Sequence, residues 1–275
     1  MKRIALVLVV LAATLFGFSC ADSGAKLKDG VYFAQDNDFA PQGGWKEQVV
    51  VTVAKGKVSA VDWNGVSNLG VADKKTVSTA GGYGMKAASK LGLEWHEQAA
   101  TVEAFLVKTQ DTAFSKFKDD GTTDAITGAS LHVKNFFALV KKALDAGPVA
   151  KGIYAKNGWF FAAQADFDAQ TGWKDSVLLT VVNGTLVDAV WNATNKDTAK
   201  KSKLLVAIAG TYGMGKAAKL GEWNVQAAAV QAELLKVQDP TKIALKADGT
   251  SDAVSGASLH LTAVPLAVEA LAAAR

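Results

Sequence analysis

The chain contains a long internal repeat, and this feature limits its possible folds more than any other. Sequence patterns in the first half return 128 residues later, or 129 in one case. The recurring pairs include Trp45 and Trp173, Trp63 and Trp191, Tyr83 and Tyr212, and Trp95 and Trp223. A period of this length is that of a whole domain, because solenoid repeats are only about 20–50 residues long. The sequence therefore predicts two homologous domains, 26–147 and 148–275, that meet where Gly and Pro interrupt the pattern.

Each repeat has the pattern of an α+β domain, with a small antiparallel sheet and packed helices. A short strand over 30–34 precedes two β-branched runs, 48–54 and 57–63, which predict a hairpin. Repeat 2 has the same runs at 177–182 and 185–191 around an Asn-Gly turn. Helices are expected over about 94–109 and 222–237. A closing amphipathic helix is expected between Val133 and Leu144, where apolar residues recur at helical spacing.

Composition excludes several classes of protein. The 275 residues include one cysteine, whereas disulfide scaffolds, zinc fingers and iron–sulfur clusters each need at least two. His132 and His260 have no cysteine or histidine neighbours at ligand spacing, so no resident metal site is expected. The 30 basic and 26 acidic residues are interspersed and give a net charge of +4. A nucleic-acid-binding domain usually concentrates basic residues on one face, so nucleic acid is not an expected partner.

The N-terminus has the pattern of a bacterial lipoprotein signal. Lys2 and Arg3 precede an apolar run over 4–18, which is shorter than the roughly 20 residues of a transmembrane helix. The run ends at Ser19 and Cys20, so we expect a signal peptide over 1–19, lipid on Cys20 and a tether over 20–25. This predicts an extracytoplasmic protein that a lipid anchor holds to a bacterial membrane, in the cell envelope or periplasm. The alternative is an uncleaved anchor with an incidental cysteine.

The segment before each closing helix is among the least changed between the halves. It is Asp124-Ala-Ile-Thr127-Gly128-Ala129-Ser130 in repeat 1 and Asp252-Ala-Val-Ser255-Gly256-Ala257-Ser258 in repeat 2. Packing alone tolerates the exchange of apolar residues, so near-identity among small polar residues indicates a shared chemical task. Glycine and alanine allow a backbone turn to approach a ligand closely. The alternative is an ordinary Asp-Gly turn followed by a serine cap.

The two motif serines, Ser130 and Ser258, are predicted at the N-caps of their closing helices. A phosphate on either hydroxyl would there meet free backbone N–H groups and the positive end of the helix dipole. Asp124 lies six residues before Ser130, where it would orient or deprotonate the hydroxyl or bind a metal that assists attachment. The Gly-rich segments 80–85 and 210–215 and the tryptophan pairs are either ligand contacts or parts of the core.

The two motif segments resemble the flavinylation motif of the FMN-binding domain family, which runs Asp, two variable residues, Ser or Thr, Gly, Ala, then Thr or Ser. That family includes the C subunit of sodium-pumping NADH:quinone reductase, the G subunit of the Rnf complex and extracellular flavinylated lipoproteins. The resemblance implies that a flavin transferase joins one FMN to Ser130 and one to Ser258 as phosphoesters. It also implies that attachment needs Asp124 and Asp252.

The resemblance further implies an electron carrier in which two covalent FMN groups do the redox chemistry. Its expected partners are redox proteins or quinone-linked membrane complexes, besides the transferase and the membrane. Two alternatives are open: a non-redox ligand-binding or interaction lipoprotein without flavin, and a flavin-dependent reductase with its own substrate. Proline is tolerated only in the first turn of a helix, so Pro265 either delays or kinks the second closing helix. We therefore expect Ser258 to be less completely modified than Ser130.

Overall fold

The protein is α+β, and each repeat has its own sheet. The structure is a computed structural model that describes residues 26–216 and 218–275. The expected signal peptide, the tether and the lipidation residue Cys20 lie outside the described residues. Each sheet is antiparallel and has three strands in sequence order. Within 26–216 and 218–275, no helix is long and apolar enough to cross a membrane.

The two repeats have closely similar element orders. Repeat 1 consists of β1 (Gly30–Gln35), β2 (Trp45–Ala54), β3 (Lys57–Ser67), α1 (Lys74–Thr79), α2 (Met85–Ala88), α3 (Trp95–Thr109) and α4 (Lys134–Ala146). Repeat 2 consists of β4 (Gly158–Ala163), β5 (Trp173–Val182), β6 (Thr185–Asn195), α5 (Lys203–Ile208), α6 (Trp223–Val237), a 3-10 turn (Pro240–Lys242) and α7 (Ala263–Ala272). The short α2 has no helical counterpart among the described residues of repeat 2.

Both predicted hairpins are present, and their strands are longer than the apolar runs in the sequence. The turn residues Lys55 and Gly56 have φ angles of 55° and 75°, and Asn183 and Gly184 have 50° and 75°. Two successive positive φ angles are typical of a type I′ turn, whose twist suits an antiparallel pair. Glycine at the second position avoids the steric cost of a Cβ there. These two-residue turns set the register of each hairpin.

The helices of each repeat pack on one face of its sheet. In repeat 1, Val49 and Val51 of β2 are fully buried in one core with Val102 of α3 and Phe136 of α4. The corresponding core of repeat 2 contains Val177, Leu179, Val230 and Leu271. Burial of each large apolar side chain is worth roughly 1.5–3 kcal/mol, so these cores are the main source of stability within each repeat.

The two closing helices differ slightly in where they begin. Helix α4 begins at Lys134, whereas α7 begins at Ala263, one position later in the repeat. Pro265 is the third residue of α7 and therefore lies in the first turn, where its missing N–H breaks no helical hydrogen bond. Of the two effects expected from this proline, the structure shows the later start.

The sheet faces that point away from the helices pack against each other, and we call this contact the inter-sheet interface. Its apolar part is a buried cluster of Val66 from repeat 1 with Leu178 and Val190 from repeat 2. Its polar part includes a buried ion pair, in which Nζ of Lys46 lies 2.9 Å from Oδ1 of Asp188. A buried charge is costly without a partner, so this pair ties the position of one sheet to that of the other.

Gln48 lies at the centre of the polar part of the inter-sheet interface. Its side chain is fully buried. The amide nitrogen donates hydrogen bonds to Asp188 at 2.8 Å and to Gln35 at 2.7 Å. The amide oxygen accepts from the indole of Trp159 at 2.5 Å and from the hydroxyl of Thr180 at 3.0 Å. All four hydrogen-bonding positions of the amide are therefore used, three of them by repeat 2.

The chain passes from one repeat to the other over residues 148–152. The backbone N–H of Val149 donates to the carbonyl oxygen of Val31 in repeat 1, at 2.8 Å. Three residues later, the N–H of Gly152 donates to the carbonyl oxygen of Asn183 in repeat 2, at 2.9 Å. The linker is therefore bonded to a strand of one repeat and to the hairpin turn of the other.

Candidate functional site

The motif loops, residues 120–130 and 248–258, start with the same local hydrogen bonds. The carboxylate of Asp120 accepts from the hydroxyl and the backbone N–H of Thr122, at 2.7 and 2.8 Å. These bonds favour the ionised carboxylate and lower the pKa of Asp120. Asp248 and Thr250 form the same pair of bonds, at 2.7 and 2.9 Å, and the pKa of Asp248 is lowered for the same reason.

A glycine turn and a buried anchor fix the middle of each motif loop. Gly128 and Gly256 have φ angles of 89° and 90°, a conformation that strains residues with a Cβ. Ile126 and Val254, two residues earlier, are buried in the cores of their repeats. The backbone conformation therefore favours glycine at these two positions, and close approach of a ligand to the turn stays a prediction.

Each motif serine is exposed and is hydrogen-bonded to a buried glutamine. The backbone N–H and the hydroxyl of Ser130 both donate to Oε1 of Gln98 on α3, at 2.7 and 3.1 Å. Ser258 donates in the same way to Gln226 on α6, at 2.8 and 3.2 Å. Both glutamine side chains are fully buried. Sequence reasoning missed these two residues, although Gln-Ala-Ala recurs at the repeat spacing.

The predicted N-cap position of the motif serines is wrong. The N-cap of α4 is Val133, three residues after Ser130, and that of α7 is Thr262, four residues after Ser258. The serine N–H groups are already bonded to glutamine side chains, and Leu131 enters the core before the helix begins. Since the dipole effect is confined to the first turn of a helix, it gives no reason for a phosphate at these serines.

The motif aspartates are not hydrogen-bonded to the motif serines in the described part of the chain. The side chain of Asp124 is 83% exposed and lies 2.5 Å from Nζ of Lys118. Asp252 is 85% exposed and pairs with Lys246 at the same distance. The hydrogen bond from each lysine to its aspartate raises the pKa of that lysine. Both carboxylates are therefore on the outer surface of the loops.

The remaining motif residues lie on either side of the glycine turns. Thr127 and Ser255 are exposed, whereas Ala129 and Ala257 are partly buried against the cores of their repeats. Over 26–216 and 218–275, no three histidine, cysteine, aspartate or glutamate side chains are grouped so that they could hold a metal ion. The motif loop is thus a small-residue surface over the core, with the serine hydroxyl at its end.

A cleft opens beside the motif serine of repeat 1. A cavity of about 290 Å³ is lined by Ser130, Trp95 and Lys74 together with Glu47 and Tyr83. An adjoining cavity of about 800 Å³ also has Glu47, Lys74 and Tyr83 in its wall. The exposed hydroxyl therefore lies at the edge of a concave surface that is rich in aromatic side chains.

Lys74 is buried among the aromatic rings of this cleft. Its Nζ lies 4.3 Å from a ring centre of Trp95, 5.3 Å from that of Tyr83 and 5.9 Å from that of Trp45. It also lies 2.6 Å from Oε1 of Glu47. Burying an ammonium group is costly unless it is paired, and the carboxylate and the ring faces provide that compensation.

Lys203 has the same position in repeat 2, where the cleft has a volume of about 430 Å³. Its Nζ lies 2.7 Å from Oδ1 of Asp175, 5.3 Å from a ring centre of Trp223 and 5.6 Å from that of Trp173. His260, two residues after the motif serine, is in the wall of this cleft. Sequence reasoning missed both buried lysines, although each recurs with an acidic partner at equivalent positions of the repeats.

The Gly-rich segment of repeat 1 is bonded to a carboxylate of its own repeat. Glu94 accepts from the backbone N–H groups of Met85 and Lys86, both at 3.2 Å. Burial raises the pKa of Glu94, but the backbone hydrogen bonds outweigh burial and lower the pKa overall. In repeat 2, Glu222 accepts from the N–H of Gly215 at 3.1 Å. These contacts favour a structural role for both Gly-rich segments, because N–H groups suited to an anion are already used.

The paired tryptophans are both core residues and cleft walls. Trp63 and Trp95 pack edge to face with ring centres 5.3 Å apart, and Trp191 and Trp223 do so at 5.1 Å. All four rings are nearly completely buried, yet each lines the cleft of its repeat. These tryptophans are therefore parts of the core, and they could also contact a ligand in the cleft.

No protein-family model matches the chain, and no curated protein matches it. The solution NMR structure of a protein from Clostridium thermocellum is 46% identical, over 45% of this chain and 95% of that protein, with a TM-score of 0.37. The crystal structure of a protein from Clostridium perfringens is 23% identical, over 45% of this chain and 94% of that protein, with a TM-score of 0.34. Neither description names a ligand or an activity.

Proposed function

We propose that this protein is an electron carrier that holds one FMN on Ser130 and another on Ser258 through phosphoester bonds. The observation that carries the proposal is an exposed serine hydroxyl that is hydrogen-bonded to a buried glutamine, and it occurs in both repeats of one chain. Ser130 also lines an aromatic cleft, whereas in repeat 2 the two residues after Ser258, Leu259 and His260, line the corresponding cleft. This arrangement of the motif serines supports the interpretation of the motif as a flavinylation motif of the FMN-binding domain family.

The size and the aromatic walls of the cleft of repeat 1 support a flavin ring as its occupant. Small-molecule sites typically have volumes of about 300–1,000 Å³ and mainly apolar and aromatic walls with few polar groups. Of the two adjoining cavities, the larger, at about 800 Å³, lies within that range, and the smaller, at about 290 Å³, is close to its lower end. Trp95 and Tyr83 provide flat apolar surface, and Lys74 provides one buried positive charge.

FMN supplies one- and two-electron chemistry, and the protein supplies binding and electrostatics. Ser130 bears the phosphoester bond, so its hydroxyl oxygen sets where the flavin is tethered. Trp95 and Tyr83 exclude water from one wall of the cleft. The ammonium of Lys74 favours the gain of negative charge in the cleft, and Glu47 limits that effect by partly neutralising it.

Attachment requires a flavin donor with a good leaving group on its phosphate. Free FMN would have to expel hydroxide, so the donor class is a flavin dinucleotide, such as flavin adenine dinucleotide. The oxygen of Ser130 forms a bond to the FMN phosphorus, and the bond from that phosphorus to the departing mononucleotide breaks. The hydroxyl proton passes to solvent or to a base of the flavin transferase. The protein thus gains the mass of FMN minus one water.

Mass spectrometry of protein co-produced with a flavin transferase tests the proposal. The unsubstituted chain is expected to carry two such increments, Ser130→Ala and Ser258→Ala one each, and the double variant none. Ser59→Ala is the control, because Ser59 is an exposed hydroxyl outside the motif loops and its loss should leave both increments. Stoichiometric FMN on the double variant would show non-covalent binding, and the clefts alone would then be the site.

Two other results would favour the alternative functions. A folded, colourless chain after co-production with an active transferase would favour the non-redox lipoprotein. Reduction of a substrate by a simple electron donor, without a partner protein, would favour the reductase. The electron carrier is instead expected to exchange electrons with redox proteins or a quinone-linked membrane complex.

For location, we propose that Cys20 becomes the lipidated N-terminus, so that the carrier works outside the cytoplasm at a bacterial membrane. The support is the apolar run that ends at the single cysteine. Cys20→Ala should leave the precursor uncleaved. Normal cleavage after Ser19 with continued membrane binding in that variant would disprove the proposed anchor.

A further inference from the structure

The side chains of Gln98 and Gln226 are, we infer, positioning residues for flavin attachment, an inference that rests on the proposed function. Each is fully buried, and each turns its amide oxygen to a motif serine in its own repeat. Thirty-two residues separate each glutamine from its serine, so the contact is tertiary and not a feature of the motif loop alone. Its occurrence in both repeats is the observation that carries the inference.

The orientation of the Gln98 amide follows from its neighbours. The backbone N–H of Ser130 is a donor and needs an acceptor, so the amide oxygen faces the serine. The amide nitrogen donates to the hydroxyl of Ser89 at 3.1 Å and to the carbonyl oxygen of Leu93 at 3.4 Å. The donors of Ser130 face the amide oxygen, and the acceptors of Ser89 and Leu93 face the amide nitrogen. The amide of Gln98 therefore has a single favourable orientation.

Among residues 26–216 and 218–275, Gln226 has fewer hydrogen-bond partners than Gln98. Its amide nitrogen donates to the carbonyl oxygen of Gly221 at 3.1 Å, and this carbonyl is the counterpart of that of Leu93. The position of Ser89 is occupied by Ala218. The hydrogen bonds to Ser258 are nevertheless the same as in repeat 1, so the acceptor oxygen is the part of the arrangement common to both repeats.

This geometry prepares the hydroxyl for attack on phosphorus without removing its proton. The hydroxyl of Ser130 donates to Gln98, so its oxygen lone pairs point away from the buried amide. A neutral amide oxygen accepts hydrogen bonds but does not act as a base near neutral pH, so Gln98 positions the nucleophile and is not catalytic. Holding a nucleophile in one orientation lowers the entropy cost of reaching the transition state.

The test compares labelling rates at the two serines of one full chain. Gln98→Leu removes the acceptor oxygen, whereas Gln98→Glu keeps an oxygen that can accept both hydrogen bonds from Ser130. With flavin transferase and flavin adenine dinucleotide, Gln98→Leu should slow labelling of Ser130 by about tenfold, which corresponds to 1.36 kcal/mol. Gln98→Glu should restore at least half of the lost rate. Ser258 is the internal control and should label at the unsubstituted rate.

A second measurement uses the protein before any flavin is attached. Hydrogen exchange of the Ser130 amide should be faster in Gln98→Leu and close to normal in Gln98→Glu, with exchange across α3 unchanged. A merely structural role would instead raise exchange across α3 as well. The labelling rate and the amide exchange of Ser258 can be measured in the same way in Gln226→Leu and Gln226→Glu. If Gln98→Leu fails to fold, these two variants test the positioning role instead.

Two results would overturn the inference, and they differ from failure of the proposed function. Undiminished labelling of Ser130 in a folded Gln98→Leu protein would exclude a positioning role. So would loss of labelling in a folded Gln98→Glu protein that keeps slow exchange at the Ser130 amide. Absence of flavin from both serines of the unsubstituted chain would instead reject the proposed function, and this inference with it.

Discussion

The two repeats are alike around the motif serines and unlike on the sheet faces that meet. The serine–glutamine hydrogen bonds measure 2.7 and 3.1 Å in repeat 1, and 2.8 and 3.2 Å in repeat 2. At the inter-sheet interface, by contrast, the counterpart of Gln48 is Ser176 and that of Asp188 is Ala60. The repeats therefore share the side that faces the cleft and differ on the side that joins them.

This difference separates two demands on one fold. The cleft side needs the same small and polar residues in both copies, because the same loop geometry recurs there. The joining side needs complementarity between unlike surfaces, as in the pair of Lys46 with Asp188. Substitutions at the joining side, at the motif loops and at charges present in one repeat only would test this division.

The largest effect is expected from loss of the cation at the inter-sheet interface. Lys46→Ala leaves the buried carboxylate of Asp188 without its charged partner, so it should destabilise the protein by about 3–5 kcal/mol. Lys174→Ala is the matched control in repeat 2, where the ammonium bonds to the carbonyl oxygen of Ala165 at the surface, and it should change stability by less than about 0.5 kcal/mol. Urea unfolding measures both values. Equal losses would show that the interface does not depend on this ion pair.

The glycine turns of the motif loops should give a smaller effect. Gly128→Ala and Gly256→Ala each place a Cβ at a φ near 90°, at a cost of about 1–2 kcal/mol. A Cβ at Gly128 would lie 3.6 Å from Thr101, but one at Gly256 would lie 3.3 Å from Ala229. Thermal unfolding should therefore show the larger loss for Gly256→Ala.

Gly81→Ala separates backbone strain from crowding in that comparison. Gly81 also has a positive φ, at 75°, and a Cβ there would have no atom within 4 Å. Its loss of stability should match that of Gly128→Ala and be smaller than that of Gly256→Ala. A loss at Gly81 as large as that at Gly256 would mean that the contact with Ala229 does not matter.

A charge cluster that repeat 2 lacks should give repeat 1 a different alkaline response. Nζ of Lys75 lies 2.6 Å from Asp62 and 2.7 Å from Glu103, whereas repeat 2 has Leu204 in place of the lysine. Burial lowers the pKa of Lys75, but the two carboxylates outweigh burial and raise it above 10.5. The resulting stabilisation is complete below pH 10.5 and is lost as the pH rises through the higher folded-state pKa.

Substitution of the lysine by the repeat 2 residue tests this response. The free energy of unfolding, measured with urea, should fall less between neutral and strongly alkaline pH in Lys75→Leu than in the unsubstituted protein. The difference should be less than about 1 kcal/mol, because the charge cluster is partly exposed. Lys108→Leu, at an exposed position of the neighbouring helix α3, is the control and should leave the fall unchanged. The same alkaline slope in both variants would exclude a contribution from Lys75.

The motif aspartates should have the smallest effect on stability. Asp124→Ala removes an exposed ion pair with Lys118, so the free energy of unfolding should change by less than about 0.5 kcal/mol. Attachment of flavin to Ser130 should nevertheless stop, while Ser258 is still modified. Asp252→Ala should give the reverse pattern by mass spectrometry. Loss of flavin from both serines in either variant would contradict independent attachment sites.

Local signals in the sequence predicted most of the fold. The two-residue turns and β-branched runs predicted both hairpins, and helical spacing predicted the closing helix α4. The expected helices over 94–109 and 222–237 correspond to α3 and α6. The inter-sheet interface could not be predicted in this way. Gln48 and Asp188 are polar residues, and polar residues of an antiparallel strand commonly lie on a face exposed to solvent. Trp159 was an overlooked signal: it is the one tryptophan without a partner in the other repeat, and it donates to Gln48.

The site was predicted less completely than the fold. The motif identified the two exposed serines and the glycine turns, because both depend on residues close together in sequence. The predicted helix start was wrong: Leu131 packs into the core after Ser130, and Val133, not the serine, is the N-cap of α4. The partner Gln98 comes from another helix, and only the fold brings it to the serine. The expectation that Ser258 is less completely modified than Ser130 stays a prediction, and the two FMN increments measured separately by mass spectrometry would test it.

The unlike surfaces of the inter-sheet interface have a consequence for stoichiometry. If two copies of repeat 1 adopted the same arrangement, Lys46 would meet Ala60 where Asp188 now stands, and a buried ammonium group would lack its counter-ion. Self-association of like halves is thereby disfavoured, and the covalent chain provides each half with its complement at high effective concentration. Pairing of repeat 1 with repeat 2 within one chain is therefore favoured over pairing of like repeats between chains, whatever the amount of protein made.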